Sequence, residues 1–255
     1  MMEGPSLYLA AEQLQPFVRK TIASVSGNTK FGKERLHNKK VLDIFSWGKH
    51  LLFQFDEFAL RVHFMLYGSF EATVDGTPVT GDYKRQNRAS RLTLIFPNGE
   101  IIMFSCSVKY IEGSDVKSTY DFKVNVMSEE WDPKVALKKS ALLNDLEIAD
   151  VLLDQDIFAG VGNIIKNEVL HQAFVHPESR IKDLPAAKLK EIVKRAQDYS
   201  WDFYKWRKIF ELKKHYQVYR QSVCKRCGEK VQRKVTGSRN RLSFVCPNCQ
   251  KLPKN

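Results

Sequence analysis

The sequence predicts an α+β multidomain protein, and three observations point to that fold class. Between about residues 20 and 125, short runs rich in β-branched and aromatic residues alternate with turn signals, which is typical of strands. From about residue 132 the apolar residues recur at helical spacing. Four of the five cysteines lie in the last 32 residues as two Cys-x-x-Cys pairs. We therefore predict a β-rich domain over 1–125, a helical domain over 132–217 and a cysteine-bearing module over 218–255.

Each part carries its own local signals. The segment "SLYLAAEQLQPFVRKTI" predicts a leading helix over about residues 5–20. In the β-rich part, "SRLTLIFPNGEIIMFSC" predicts a hairpin with Asn98-Gly99 at its tip, and "LRVHFMLYGSFEATVDG" predicts a strand that ends in an Asp-Gly turn. Helices are predicted in the second half by "DPKVALKKSALL", "EIADVLLDQ", "GNIIKNEVLHQAF" and "PAAKLKEIVKRAQDYSWDFYKWR".

The charge of the chain favours a polyanionic partner. Lysine and arginine number 41 against 29 aspartate and glutamate, which gives a formal net charge of +12. A solvated basic surface would also explain this excess, but neutralising phosphates is its usual use, so nucleic acid is the expected partner. A membrane surface is disfavoured because the chain has no apolar run near 18 residues and no signal peptide. We expect a cytoplasmic monomer that does not bind membranes.

The paired cysteines predict one structural zinc ion. Eighteen residues separate the pair Cys224/Cys227 from the pair Cys246/Cys249, which is within the usual range for a four-cysteine zinc site. Four thiolates fill the tetrahedral shell and leave no position for a catalytic water, so the metal is expected to hold the module together. Cys106, which stands alone in the apolar run "IIMFSC", is expected to be buried and inert.

Two basic or glycine-rich segments suit a phosphate backbone. The loop between the cysteine pairs predicts a hairpin that presents Arg239 and Arg241. The run "DQDIFAGVGNIIKNEVL" places a glycine-rich turn before a helix that begins near Asn163, and the N–H groups at such a helix start can bind a phosphate. Taken alone, this turn is more typical of an ordinary corner between two helices than of a phosphate site.

Five segments in order resemble one family. "MMEGP", "WGKHLLFQF", "VHFMLYGSF", "LLDQDIFAGVGNIIKNEVLHQAFVHP" and the basic module ending in "CPNCQK" resemble, in turn, five features of the formamidopyrimidine-DNA glycosylase and endonuclease VIII family. These features are the N-terminal active site, the lysine-bearing β-turn, the lesion-wedge loop, the helix–two-turn–helix and the zinc finger. The resemblance spans the whole chain and is greatest to the endonuclease VIII-like branch.

The resemblance implies a fold and a chemistry. It implies an N-terminal β-sandwich and a helix–two-turn–helix domain with a zinc finger, which together clamp damaged DNA from which a base is everted. In that family the N-terminal amine attacks the deoxyribose C1′, expels the base and forms a Schiff base that drives β,δ-elimination during base-excision repair. Carried over, Glu3 is the carboxylate beside the amine, Lys49 contacts phosphate and the sugar region, and Asn163 and Arg241 contact phosphate.

The resemblance also bears on specificity. Met65, Leu66 and Tyr67 match the wedge that fills the vacated stack, whereas in an ordinary strand these side chains would be core residues. The formamidopyrimidine branch has an arginine that faces the estranged base, but the matching piece here is "CSVKY". The chain is also short between "WRKIF" and "YQVYR", where that branch has a long loop over oxidised purines. Oxidised pyrimidines are therefore the expected substrates.

Residue 2 departs from the family pattern. The family has proline there, exposed as the new N-terminus, whereas this chain has Met2, and methionine does not favour removal of the preceding Met1. If Met1 stays attached, the nitrogen of Met2 is an amide and is not a nucleophile. The Met2 amine could still be exposed by processing, the Met1 amine could reach into the site, or the protein could bind lesions or abasic sites without cutting. A zinc-finger transcription regulator is disfavoured because Glu3 and the wedge would then have no purpose.

Overall fold

The computed structural model describes residues 2–79 and 89–252. The chain divides into two compact units, Met1–Asp121 and Phe122–Asn255. The α-helices from Pro133 onward and the cysteine-bearing module lie in the second of these units.

The leading helix, α1 (Gly4–Gln13), is shorter than the sequence predicted. Pro5 lies in its first turn, where the missing N–H costs nothing. Pro16 lacks the N–H donor that a continuing α-helix needs, so the chain passes into a 3₁₀ turn, Gln15–Phe17. The prediction that the helix continues to about residue 20 was therefore wrong. The buried residues of α1 include Leu7, and the helix packs on two strands of the sheet.

The sheet of unit 1 is antiparallel and has seven strands. These are β1 (Ser24–Ser26), β2 (Asp43–Trp47), β3 (His50–Gln54), β4 (Phe58–Val74), β5 (Thr77–Pro78), β6 (Leu92–Phe96) and β7 (Gly99–Glu112). The strand order is β1-β6-β7-β4-β3-β2, with β5 paired to β4. The hairpin predicted around Asn98-Gly99 is the β6–β7 pair, in which Phe96 lies opposite Gly99.

The long strands β4 and β7 belong to both halves of this sheet. Their pairing is interrupted between Phe64 and Ser69, where the register shifts. Before the interruption β4 pairs with β3, and after it the same two strands continue beside β5 and β6. Buried residues from both halves, such as Phe53 and Met103, belong to one hydrophobic core that also includes Met2. The predicted β-sandwich is thus one continuous sheet that encloses a single core.

Unit 2 contains the remaining helices. They are α2 (Pro133–Ala141), α3 (Ile148–Val151), α4 (Asn163–Gln172) and α5 (Ala186–Lys208). Asp132 caps α2, since its side chain accepts a hydrogen bond of 2.8 Å from the N–H of Lys134. Both α2 and α4 pack against α5. Across the residues that the structure describes, no helix is long and apolar enough to cross a membrane.

The cysteine-bearing module contains a two-stranded hairpin, β8 (Gln232–Thr236) and β9 (Arg241–Val245). The two strands pair antiparallel, and β9 packs against α4. The predicted hairpin between the cysteine pairs is therefore present, with Gly237 in its turn.

Candidate functional site

The N-terminal segment buries a carboxylate. The exposed fraction of Met2 is 6% and that of Glu3 is 0%. Glu3 precedes α1, and its carbonyl accepts hydrogen bonds from the N–H groups of Ser6 (2.9 Å) and Leu7 (3.2 Å). Glu3 therefore lies at the N-terminus of α1, the positive end of the helix dipole. The side chain of Met2 is anchored in the core, so the backbone beside Glu3 is held in place.

The turn between β2 and β3 carries Lys49. Gly48 has φ 53°, the left-handed conformation that glycine adopts without steric cost. The Nδ1 atom of His63, on β4, lies 3.2 Å from the carbonyl oxygen of Lys49. Because a carbonyl can only accept, the proton of this hydrogen bond belongs to Nδ1 of His63. This hydrogen bond connects the lysine turn to the strand that continues into residues 65–67.

An aromatic and imidazole cluster surrounds this turn. The rings of Trp47 and His50 stack at 5.9 Å, those of His50 and His63 meet edge to face at 5.5 Å, and Trp47 also contacts Tyr120. Burial lowers the pKa of His50 to about 4, with a further contribution from the positive charge of Arg61. Burial also lowers the pKa of His63. Both rings are therefore neutral near pH 7, so neither His50 nor His63 places a positive charge beside Lys49.

The predicted wedge residues project from the interruption in β4. Met65, Leu66 and Tyr67 are 54%, 49% and 61% exposed, although they follow a buried stretch of the same strand. Gly68 allows this segment to approach β7, since a Cβ atom at residue 68 would lie 2.7 Å from the carbonyl oxygen of Ser105. Three consecutive exposed apolar side chains are costly in water, and such residues commonly mark a binding surface.

The glycine-rich turn in unit 2 is held by a side chain that sequence reasoning missed. The Nε2 atom of Gln155 donates to the carbonyls of Leu153 (2.9 Å) and Val161 (3.2 Å), and its Oε1 accepts from the N–H of Gly160 (3.1 Å). Gly160 has φ 103°, so the turn needs glycine at this position. Gln155 thereby fixes the approach to Asn163, which is the first residue of α4.

Asn163 connects α4 to the cysteine-bearing hairpin. Its Nδ2 donates to the carbonyl of Leu242 at 2.9 Å, and Leu242 follows Arg241. The Asn163 side chain is buried, and its Oδ1 finds no hydrogen-bond partner among the described residues. The structure therefore brings together Asn163 and Arg241, two residues that are 78 positions apart in the sequence. Their predicted contacts with phosphate remain predictions.

Three further polar side chains of α4 hold the module. The Nζ atom of the fully buried Lys166 donates to the hydroxyl of Ser243 at 2.8 Å, and the Oδ1 of Asn167 accepts from the N–H of Phe244 at 2.7 Å. Glu168 accepts three backbone hydrogen bonds from the segment that leads into the module, from residues Gln217, Val218 and Tyr219. Burial raises the pKa of the Glu168 carboxyl, while these N–H donors favour its ionised form.

The tip of the hairpin is held by Asp150, on α3. Its carboxylate accepts from the N–H (2.6 Å) and hydroxyl (2.9 Å) of Ser238 and from the N–H of Arg239 (3.3 Å). Gly237 is required there, because a Cβ atom would lie 2.3 Å from Oδ1 of Asp150. The Arg239 guanidinium is in an ion pair with Asp154 at 3.2 Å, whereas Arg241 is exposed at the start of β9. Of the two predicted arginines, Arg239 already has a carboxylate partner.

The four paired cysteines form a candidate metal centre. The Sγ atoms of Cys224, Cys227, Cys246 and Cys249 all lie within 4.8 Å of one another, and two of these separations are 3.4 and 3.5 Å. A tetrahedral zinc site with bonds of about 2.3 Å needs sulfur atoms about 3.8 Å apart, so the arrangement fits such an ion. Backbone N–H groups also point at the sulfurs, for example that of Cys249 at Sγ of Cys246 (3.4 Å).

A histidine on α4 lies beside this centre. The Nε2 atom of the buried His171 is 3.2 Å from Sγ of Cys224. An N–H donor at that distance would stabilise a thiolate and orient it toward a metal. Burial raises the pKa of the Cys246 thiol to about 12, and bound metal is the usual way in which such a buried thiol is kept deprotonated. The centre is thus suited to a metal with soft thiolate ligands.

Two family models match the chain. Residues 1–107 match the model described as the formamidopyrimidine-DNA glycosylase N-terminal domain, and residues 124–199 match that of the formamidopyrimidine-DNA glycosylase H2TH domain. Both models describe domains of one family. Together they include α1, all seven strands of the sheet except the end of β7, and the turn before α4.

Curated relatives carry names from the endonuclease VIII branch. The human protein "Endonuclease 8-like 3" is 29% identical over 98% of this chain, and "Endonuclease 8" of Shigella sonnei is 28% identical over 98% of the chain and 100% of its own length. The chain spans 41% of the human relative and 33% of the Xenopus laevis relative of the same name.

Solved structures share the fold. Formamidopyrimidine-DNA glycosylase of Lactococcus lactis, in non-covalent complex with DNA containing an abasic site, matches with a TM-score of 0.81 over 98% of this chain at 24% identity. A complex of the same enzyme with DNA containing an oxidised pyrimidine also gives 0.81. The matched domains, their order and this fold lead to one conclusion: the chain belongs to the formamidopyrimidine-DNA glycosylase and endonuclease VIII family, within its endonuclease VIII-like branch.

Proposed function

We propose that this protein is a base-excision-repair DNA glycosylase with abasic-site lyase activity. The observation that carries the proposal is Glu3, a carboxylate with no exposed surface at the N-terminus of α1, directly after residue 2. Burying a carboxylate is costly unless its environment uses the charge. Beside a free α-amine it would serve an amine-based reaction, because an amine with a pKa of about 7.7–8.0 is partly unprotonated near neutrality.

The proposed reaction proceeds through a Schiff base. The lone pair of the residue 2 amine attacks C1′ of the deoxyribose, the bond from C1′ to the base breaks, and the base leaves with the proton that the attacking nitrogen loses. The bond from C1′ to the ring oxygen O4′ then breaks as O4′ takes a proton from the protonated carboxyl of Glu3, and the carboxylate that remains stabilises the iminium cation. Loss of a C2′ proton then breaks the C3′–O bond, a second elimination breaks the C5′–O bond, and water releases the amine. Lys49 binds the phosphate next to the reacting sugar.

The proposed partner is damaged DNA, bound through surfaces of both units. Met65, Leu66 and Tyr67 fill the space left by an everted base. Asn163 and Arg241 contact phosphate, and this pairing is supported by the hydrogen bond between Asn163 and the backbone next to Arg241. Structural relatives have been crystallised with abasic-site DNA.

The proposed metal is one zinc ion, held by Cys224, Cys227, Cys246 and Cys249. When bound, it supplies no chemistry to the reaction but ties β8 and β9 to the segment that follows α5. The donors are four thiolates of suitable spacing, which is the ligand set that zinc most often has in structural sites.

The proposed substrates are oxidised pyrimidines. The segment that matches the purine enzyme's estranged-base arginine, "CSVKY", is a regular part of β7 paired to β4. Only a short 3₁₀ turn, Leu212–His215, stands between α5 and the module among the described elements of that region. The rates of base release from duplexes containing thymine glycol or 8-oxoguanine, measured side by side, test this proposal. Faster release of 8-oxoguanine would contradict it.

A specific observation favours a second function, lesion binding without cleavage. Met2 contributes its side chain to the hydrophobic core, so residue 2 has a packing role that is independent of any amine chemistry. If a residue precedes Met2 in the working protein, the backbone nitrogen of Met2 is part of a peptide bond. An amide nitrogen has no basic lone pair and cannot act as the nucleophile. Binding to abasic DNA through the wedge and the phosphate contacts would then persist without strand scission.

Borohydride trapping on abasic duplex DNA separates these functions. Three proteins are compared, and intact mass establishes each N-terminus: the chain beginning at Met2, the chain retaining Met1, and Met2→Pro beginning at the proline. The lyase proposal expects a covalent adduct for the first and third proteins. Glu3→Gln in the first protein should reduce trapping roughly 10²-fold while abasic-site binding persists.

The trapping results distinguish the lyase function from the binding function. If the chain retaining Met1 binds but gives no adduct, while the chain beginning at Met2 is trapped, the nucleophile is the residue 2 amine. If no protein with a free amine at residue 2 is trapped, including a folded Met2→Pro, the lyase proposal fails and the binding function stands. Folding of Met2→Pro must be checked by thermal unfolding, because the substitution removes part of a buried side chain.

A further inference from the structure

Two helices of unit 2 end in the same unusual way. In a Schellman motif the residue after the C-cap adopts the left-handed conformation, and this residue is usually glycine. At the end of α4 it is Phe174 (φ 58°), with hydrogen bonds from Phe174 N–H to the His171 carbonyl and from Val175 N–H to the Leu170 carbonyl. The chain therefore places an aromatic residue where glycine would be least strained.

The end of α5 repeats this arrangement with Phe210 (φ 61°). Its N–H donates to the carbonyl of Arg207 (3.1 Å), and the N–H of Glu211 donates to the carbonyl of Trp206 (2.8 Å). A bulky side chain in the left-handed region is disfavoured sterically, and such residues are often found where the side chain has a use. The two phenylalanines thus form a matched pair whose surroundings can be compared.

The ring of Phe174 has a partner within unit 2. The guanidinium of Arg226 lies 4.0 Å from the centre of that ring and also donates to the His171 carbonyl at 2.9 Å. This cation–π contact attaches the first cysteine pair to the end of α4. Phe174 therefore has a structural role that accounts for its position.

The ring of Phe210 has no such partner. It is 71% exposed, and Ile209 beside it is 60% exposed. Among residues 2–79 and 89–252, no aromatic ring or cation contacts the Phe210 ring. The segment 205–214 contains five lysines or arginines and one acidic residue. The positive charge of this segment repels cationic partners and attracts anionic ones. The exposed ring offers a surface on which a planar group can stack, so the two together suit a planar group that carries a nearby negative charge.

We propose that Phe210, with Ile209, is a stacking platform for an unpaired nucleobase of bound DNA. The proposal rests on the proposed function only in taking DNA as the partner. A nucleobase supplies the flat π surface, and its phosphate supplies the charge that the segment 205–214 complements. Every base has such a surface, so the contact recognises that a base is unpaired and not which base it is. The left-handed backbone at residue 210 directs the ring away from the helix into solvent.

Binding of short single-stranded DNA tests the platform. The probes are a fluorescent dodecamer of thymidylate and an equal-length oligomer of tetrahydrofuran residues, which has the phosphates without bases and forms no Schiff base. Phe210→Leu keeps an apolar side chain but removes the ring, and is expected to weaken thymidylate binding about tenfold while leaving the base-free oligomer unaffected. Phe210→Tyr keeps the ring and should bind thymidylate as the natural chain does.

Phe174→Leu is the matched control, because it changes the same residue type at the same position of a Schellman motif. It should lower the midpoint of thermal unfolding through loss of the Arg226 contact, without a selective effect on thymidylate. By contrast, Phe210→Gly should not lower that midpoint, since glycine relieves the left-handed strain, yet it should weaken thymidylate binding as Phe210→Leu does.

Three results would overturn the inference. Unchanged thymidylate binding in Phe210→Leu excludes stacking, and equal losses on both oligomers would show that the residue acts through folding or charge. Concentration-dependent self-association that disappears in Phe210→Leu, with DNA binding unchanged, would identify a protein contact instead. Trapping on abasic duplex, measured on the same preparations, keeps a failure of this inference separate from a failure of the lyase proposal.

Discussion

The tip of the β8–β9 hairpin offers a direct test of how the module is held in place. We consider the substitution Asp150→Ala. In the folded protein the Asp150 carboxylate, which is 6% exposed, accepts two hydrogen bonds from Ser238 and one from the N–H of Arg239. These contacts join residues 88 and 89 positions apart in the sequence. Alanine would remove all three acceptors.

The magnitude follows from the number and length of these bonds. Hydrogen bonds to a charged group contribute about 1.5–3 kcal/mol each. The bonds from Ser238 are short, whereas that from Arg239 is long at 3.3 Å. Because Ser238 and Arg239 are exposed, water can replace the lost acceptor, so the sum falls well below three full bonds. We expect Asp150→Ala to lower the free energy of unfolding of unit 2 by about 2–3 kcal/mol.

The matched control is Asp154→Asn. Asp154 forms the surface ion pair with Arg239, in which the two side chains are 28% and 47% exposed, and asparagine keeps the Oδ1 acceptor used by the N–H of Asp156. Surface ion pairs contribute about 0.2–1 kcal/mol, so a loss of about 0.5 kcal/mol is expected. Both substitutions remove one negative charge, so both reduce electrostatic repulsion of DNA by the same number of charges. A difference in DNA binding between the two variants therefore reports on the hairpin and not on net charge.

Two measurements separate the variants. Hydrogen exchange of the amides at 236–242 should accelerate strongly in Asp150→Ala and little in Asp154→Asn. Affinity for abasic duplex at fixed salt should fall in Asp150→Ala, because the backbone that presents Arg241 loosens, and should rise or stay level in Asp154→Asn, because Arg239 is released. If both variants bind more tightly, or if Asp150→Ala exchanges like the natural chain, the reasoning from this tether is wrong.

Two further predictions concern unit 1. Because burial lowers the folded-state pKa of His50 to about 4, below its ordinary value of about 6.5, stability is fully present above pH 6.5 and is lost as the pH falls toward 4. The loss is about 2–3 kcal/mol in urea titrations, and His50→Phe should remove this component; an unaltered pH dependence in that variant would refute the assignment. Replacing Met65, Leu66 and Tyr67 together with serine should change the unfolding free energy by under about 1 kcal/mol, since these side chains are exposed, while weakening abasic-duplex binding at least tenfold. Equal affinity of the serine variant in a fluorescence anisotropy titration would exclude the wedge.

Local patterns allowed much of the fold to be predicted. Asn98-Gly99 predicted the β6–β7 hairpin, because a tight turn depends mainly on its own residues. The two-residue turn is Pro97-Asn98, however, and Gly99 is the first residue of β7, so the predicted tip was wrong by one residue. The cysteine spacing predicted the four-cysteine cluster for a similar reason, since each pair forms its half of the candidate metal site within one tight turn. The leading helix was predicted too long because helical periodicity continued past Pro16, although the proline ring ended the hydrogen bonding.

Side chains that act across the chain were not predictable in this way. Lys166 lies on a helix, where an isolated lysine is normally solvated. It is nevertheless fully buried, because β9 packs over α4 and the Ser243 hydroxyl accepts a hydrogen bond from its Nζ atom. In the sequence, His171 is one of several residues in a predicted helix and nothing marks it out. Its position beside Cys224 depends on how the cysteine-bearing module packs on α4. Gln155, Asp150 and Glu168 likewise hold distant backbone groups, so each needed a three-dimensional partner to be recognised.

The sequence by itself determined the fold class, the order of most elements and the cysteine cluster, and its family motifs predicted site roles for Glu3, Lys49 and residues 65–67. Each of these is encoded in residues close together in the chain. The tertiary structure alone decided that Glu3 and the side chain of Met2 are buried, that Asn163 bonds to the backbone beside Arg241, and that Phe210 remains uncovered. The physical reason is that burial and long-range hydrogen bonds depend on which distant segments pack together, and topology sets that packing.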